Sequence, residues 1–166
     1  MTTVIALRLS RMALTASVAA LFTLVAFGNV TDYGSNFAFV QHVLTMDTTF
    51  GSPGVMWRAI TSPAVHHAAY LAIIGSQLGT AALLWVGVGR LWCARRGAAA
   101  AWNSARGPAL LGLTAGMLLY GLGFLVIAGE WFAMWQSRQW NGQANAAIFL
   151  TFIGIALLHL SAAEAE

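Results

Sequence analysis

The side chains best equipped for chemistry in this chain fall in or beside two polar stretches, residues 31–64 and 130–143. His42, His66 and His67 are the first group. Imidazole ligates haem iron and transition metals, so His42 with one of the adjacent pair makes a candidate haem or metal site. Neighbouring helical residues point about 100° apart, so one site would use only one of His66 and His67, with His42 or a carboxylate supplying the rest. Asp32, Asp47, Arg58, Glu130 and Arg138 form the second group. Charges near hydrocarbon need a partner or water, and Arg58 with Asp47 or Asp32, and Arg138 with Glu130, make an expected ion-pair lock between the two stretches. The third group is aromatic: Trp131, Trp135 and Trp140, near Phe132, Met134 and Trp57. Amphipathic rings of this kind seat among lipid headgroups as a belt, or offer a flat surface to a quinone beside Glu130, Gln136 and Asn141.

Familiar catalytic frameworks are missing from the sequence. It contains no zinc-protease helix motif, phosphate-binding glycine loop or serine elbow. Catalysis would rest on the cluster just described, and the chain reads as a non-enzyme. Cys93 is the single cysteine, next to Arg95 and Arg96, which excludes an internal disulfide and a multi-cysteine metal site.

The elements that must position these groups are apolar. Of the 166 residues 59% are hydrophobic and 8% charged, and the mean hydropathy is +0.73, values of a chain solvated by lipid. Four stretches, about 12–30, 65–91, 108–129 and 144–160, approach or exceed the ~17–25 residues of a membrane-crossing helix. No polar segment is long enough to bury a core of its own. The expected architecture is all-α: one integral membrane domain over residues 1–166, a polytopic four-transmembrane-helix bundle. The basic start and apolar middle of the first stretch mimic a signal peptide. Only Ala26 and Gly28 suit a cleavage site, so it reads as a retained helix.

All the positive side chains are arginines, and they are sorted by side. Arg8, Arg11, Arg90, Arg95, Arg96 and Arg106 flank one face of the bundle, while Arg58 and Arg138 fall on the other. The positive-inside rule then puts both termini in the cytoplasm, leaving 31–64 and 130–143 as outer loops. The net charge of +3 reports this topology, not nucleic-acid binding.

Phe37, Val40, Val43 and Leu44 recur at helical spacing in the first outer loop. Ser35 or Asn36 is placed to cap that helix, and Gly51, Ser52, Pro53 and Gly54 to end it, giving an interfacial helix that covers the ends of the spans. Small residues line one face of the second span, Ala68, Ala72, Gly75, Gly79 and Ala82. A similar strip, Ala109, Gly112, Gly116 and Gly123, runs along the third. Close backbone approach substitutes in lipid for a hydrophobic drive, so the two spans are expected to pack through these strips. Gln77 is the isolated polar group of the second span, suited to a hydrogen bond with a neighbouring helix. His159, near the end of the last span, reads as an interfacial histidine.

Three blocks of sequence carry a resemblance. Asn29–Phe50 (NVTDYGSNFAFVQHVLTMDTTF), Met56–Tyr70 (MWRAITSPAVHHAAY) and Gly129–Gln143 (GEWFAMWQSRQWNGQ) resemble a bacterial family of predicted small integral membrane proteins of unknown function. The resemblance implies a four-helix protein of the bacterial inner membrane with no assigned activity. It also implies an acidic residue in the middle of the second span, where this chain has Gln77, which argues against proton handling there.

The leading functional expectation is a non-catalytic accessory subunit. Its outer face, held by Asp32, Asp47, Arg58, Glu130, Trp131, Trp135, Arg138 and Trp140, would dock to a larger membrane assembly such as a respiratory complex, or to a second copy of the chain. The alternative is a haem, metal or quinone site at the same face, using His42 with His66 or His67. A small transporter, resting on Gln77, Thr114 and Tyr120, ranks last.

Overall fold

The computed structural model describes residues 2–164, and among them the chain is helical with no strand. Helix α1 spans Thr3–Thr31, α2 Tyr33–Thr45, α3 Pro53–Met56 and α4 Pro63–Ala94. Helix α5 covers Ala99–Ala105 and α6 Gly107–Leu118, which runs on without a break into a π-helical stretch, Leu119–Trp131. A 3₁₀ turn, Met134–Gln136, precedes α7, Gln143–Ser161. Four segments, Thr3–Thr31, Pro63–Ala94, Ala99–Trp131 and Gln143–Ser161, are long and apolar enough to cross a membrane. Helix is the form these runs must take, because lipid offers no partner to an open backbone amide.

Local chemistry sets the helix starts. All three prolines, Pro53, Pro63 and Pro108, lie in a first helical turn, where a missing N–H leaves no bond unmade. Thr2 caps α1 by accepting a hydrogen bond from the Ile5 amide at 3.4 Å.

Helices α1, α4, α6 and α7 close a ring: α1 packs on α4, α4 on α6, α6 on α7, and α7 back on α1. Phe22, Leu84, Leu113, Ile153 and Leu160 are fully buried at its centre. The closest approach is between α4 and α6, where a Cβ placed on Gly87 would lie 2.6 Å from Ala109 Cβ. Gly112 faces Leu84, and Gly116 faces Phe22 of α1, with 2.8 Å between a built Cβ and each neighbour. The strip expected on the third span is thus internal along Ala109, Gly112 and Gly116.

The strip on the second span is not, and this corrects the expected packing. Ala68, Ala72, Gly75, Gly79 and Ala82 are all exposed, and a Cβ on Gly75 or Gly79 would meet nothing within 4 Å. Helix α4 buries the opposite face instead, through Tyr70, Ile74, Gln77, Ala81, Leu84, Gly87 and Leu91. Large residues on that stripe fill the ring, and Gly87 alone permits the near contact with α6.

The helix expected in the first loop is present as α2, with different ends. It begins right after Asp32, not at Ser35 or Asn36, and no side chain caps it. It ends at Thr45 with Met46 as its cap, well before Gly51. Met46 adopts a left-handed conformation at φ 54°, unusual without glycine, and is held there by near-complete burial.

Candidate functional site

Two ends of the bundle carry polar chemistry: a loop end, formed by α2, α3 and the segment after the π-helix, and a terminal end, where α1 starts and α7 finishes. A small core of Val43, Met46, Phe132, Ala133 and Met134 joins the two loops. Thr48 Oγ1 donates to Ser137 Oγ at 2.9 Å, and the Phe50 amide donates to Gln136 Oε1 at 2.9 Å. These contacts between the loops are apolar and neutral.

The expected ion-pair lock is not formed. Asp32, Glu130 and Arg138 are exposed and make no ion pair among the described residues. Arg58 instead lies over two indole rings, 4.8 Å from the Trp131 centroid and 5.5 Å from that of Trp57, and donates to the Trp131 carbonyl at 3.3 Å. Aromatic faces attract a guanidinium without demanding the geometry of a carboxylate pair. Asp47 pairs with a histidine: His42 Nδ1 lies 2.8 Å from Asp47 Oδ2, and the imidazole stacks on Trp140 at 4.6 Å.

The three histidines are dispersed among separate partners. His66 is buried and donates through Nε2 to the Ile60 carbonyl at 2.8 Å. His67 Nδ1 hydrogen-bonds the Tyr33 hydroxyl at 2.8 Å, and the ring stacks on Phe37 at 4.1 Å. No group of three or more His, Cys, Asp or Glu residues comes together to hold a metal among the described residues. Trp131 meets Trp57, and Trp135 meets Phe50, in edge-to-face pairs at 5.6 and 5.8 Å. About half of Trp131 and of Trp135 remains exposed, at 47% and 48%.

Below the loops, three polar side chains meet inside the bundle. Asn29 Nδ2 donates to Gln77 Oε1 at 2.8 Å, and the Tyr70 hydroxyl donates to the Asn29 carbonyl at 3.2 Å. This knot joins the last turn of α1 to mid-α4, as the isolated amide Gln77 foretold.

The terminal end holds a cluster that sequence reasoning missed. Arg8, Arg11 and Arg106 are all buried. Arg8 grips Glu164 with its Nε at 3.0 Å from one carboxylate oxygen and 3.1 Å from the other, and donates through Nη1 to the carbonyls of Arg95 and Gly97. Its guanidinium also lies over the fully buried Trp102. Arg11 Nε donates to the His159 carbonyl at 3.0 Å, and Arg106 Nη1 to those of Leu160, Ser161 and Ala162. The carbonyls left open at the ends of α4 and α7 are thereby satisfied by cations, the charge the helix dipole favours there. A signal was present: Arg8 and Arg11 continue the buried stripe of α1 through Thr15, Val18, Phe22, Ala26 and Asn29 at steps of three and four.

Hydrogen bonding from Arg8, helped by the charges of Arg8, Arg11 and Arg106, holds the Glu164 carboxyl below the usual glutamate range, with burial opposing. A depressed carboxylate contributes stability above its unfolded-state pKa and loses it as pH falls through the folded value. Acidification below the ordinary glutamate range is therefore expected to release the segment after α7. A lower exchange protection factor for the Glu164 amide in acid, relative to its intrinsic rate at the same pH, reproduced at neutral pH by Glu164→Gln, checks this; unchanged protection in both would contradict it.

No curated protein and no solved structure matches the chain. A family model described as predicted small integral membrane protein (DUF2165) matches residues 7–163, which cover three of the four membrane-length helices in full and all but the first turn of α1. On that match the chain belongs to the family of predicted small integral membrane proteins (DUF2165), and it is an integral membrane protein.

Proposed function

We propose that this protein is a non-catalytic accessory subunit of the bacterial inner membrane, with both termini cytoplasmic, that docks a transmembrane helix of a larger membrane assembly against α4. The observation that carries this reading is the outward strip Ala68, Ala72, Gly75, Gly79 and Ala82. Lipid tails gain little from such a face, whereas a second helix gains close backbone contact along its whole length. The exposed Glu130 and Arg138 at the loop end supply charges that no ion pair among the described residues consumes. They suit a partner's outer loops, where complementary charge sets register more than affinity.

Gly75→Leu combined with Gly79→Leu is expected to free a tagged chain from its partner in mild detergent, while the isolated chain melts as before. Charge reversal by Glu130→Lys should weaken the same assembly without unfolding. Retention of the partner by all of these variants would overturn the reading. The alternative of a haem or metal held by the loop-end histidines gains no support from three rings with three different sets of partners.

A further inference from the structure

Between α1, α2, α4, the π-helical stretch and α7 lies a cavity of about 220 Å³. Asn29, Tyr70, Gln77 and Tyr120 line its interior, and Asn36 and Asn145 are exposed at its margin. A second cavity of about 190 Å³ adjoins it and shares Phe39, Val40, Ile73 and Phe124 as a common wall. The second chamber is lined otherwise by Val43, Leu44, Ala69, Leu119, Gly123 and their apolar neighbours. The first chamber thus carries several polar groups on a largely apolar wall, and the second, beside it, is apolar.

The polar chamber contains unspent hydrogen-bond donors. Asn29 and Gln77 use one bond on each other, and Tyr70 spends its proton on the Asn29 carbonyl. The Gln77 amide nitrogen and the Tyr120 hydroxyl make no hydrogen bond among the described residues, although both residues are more than nine-tenths buried. Neither atom is sealed from a water-sized molecule, so whatever occupies the chamber is what accepts from them. No Asp, Glu, Lys, Arg or His lines either chamber, which disfavours a charged headgroup. The π-helical backbone of Leu119–Trp131, closed by a bond from the Phe132 amide to the Ile127 carbonyl five residues back, forms a wall of both chambers. Such widened turns recur at functional sites.

The geometry points to a binding site for an uncharged amphipathic molecule, whose carbonyl head accepts from Gln77 and Tyr120 and whose hydrocarbon tail fills the chamber beside Ala69 and Gly123. A prenylated quinone and a neutral acyl glyceride share that chemistry. The site is separate from the outward face of α4 and does not depend on docking there. The competing occupant is water, of which the polar chamber has room for about seven molecules.

The test uses the full chain, delipidated and placed in phosphatidylcholine nanodiscs, titrated with decyl-benzoquinone and, separately, with a diacylglycerol. Saturable one-to-one binding of the quinone alone assigns a quinone site, and of the diacylglycerol alone a glyceride site. Binding of both assigns a site that reads only the shared carbonyl and tail. Tyr120→Phe and Gln77→Leu should each weaken binding about tenfold. Ala69→Phe, which leaves the polar knot untouched, should block the tail and provides the test if either polar variant fails to fold. Failure of the folded wild type to bind either probe would mean that water alone fills the chambers and would overturn the proposal. So would binding that every folded variant retains, or displacement of the probe by phosphatidylglycerol.

Discussion

Arg8→Met is expected to destabilise the bundle by about 3 kcal/mol, the low end of the range for removing one partner of a buried ion pair, because Glu164 is only partly buried and keeps Arg11 nearby. The substituted chain keeps the length and apolar stem of the arginine but loses the grip on Glu164. It also abandons the Arg95 and Gly97 carbonyls at the end of α4, which lose their guanidinium donor. Removing the cation therefore leaves the carboxylate with only Arg11, 3.6 Å away, and takes the donor from the helix-end carbonyls. Arg8→Lys should recover only part of the loss, because an ammonium cannot present two parallel N–H groups to the carboxylate. Equilibrium unfolding in mixed micelles measures all three proteins. Equal stability of wild type and Arg8→Met would show that the terminal cluster does not hold the helix ends.

Gly87→Ala should destabilise the bundle even though alanine favours helix by about 1 kcal/mol over glycine. The new Cβ would sit 2.6 Å from the Ala109 amide nitrogen and Cβ and 2.7 Å from its Cα, so α4 and α6 would have to separate. Overpacking of this kind costs about 1–3 kcal/mol, and Gly87→Val should cost more than alanine. The control is Gly79→Ala, in open space on the outward face, which should be neutral or stabilising. Thermal melts of the detergent-purified proteins decide the sign; a stabilised Gly87→Ala would mean the two helices are not in contact there.

The contrast between these glycines shows where sequence reasoning succeeds and where it stops. Spans were legible because hydropathy marks all four of them. The helix of the first loop was legible from Phe37, Val40, Val43 and Leu44, whose spacing matches the face that α2 buries at Val40 and Val43. Its true end was not, because the left-handed position falls on Met46 while the sequence advertises Gly51. Small-residue strips occur on both middle spans, and spacing alone cannot say that one faces Leu84 and Phe22 while the other faces outward. Arg58 had carboxylates nearby in sequence but found indole faces in space. The arginines of the terminal end report membrane sidedness so readily that their second property, a place on the buried stripe of α1, is easily passed over. Nothing in LYGLGFLVIAGEW distinguishes a π-helix from an α-helix by hydropathy, so the wall of the two-chamber cavity is not legible in the sequence.

Intact mass distinguishes a chain docked through α4 from one that stands alone. The chain, tagged at its carboxyl end and extracted from its native membrane in mild detergent, would be weighed by native mass spectrometry beside the Gly75→Leu, Gly79→Leu double variant. A wild-type mass matching a larger assembly of different chains, reduced to the single chain in the folded variant, is the predicted result. A lone chain or an assembly of identical copies in the wild type, or an assembly that survives both leucines, would contradict it.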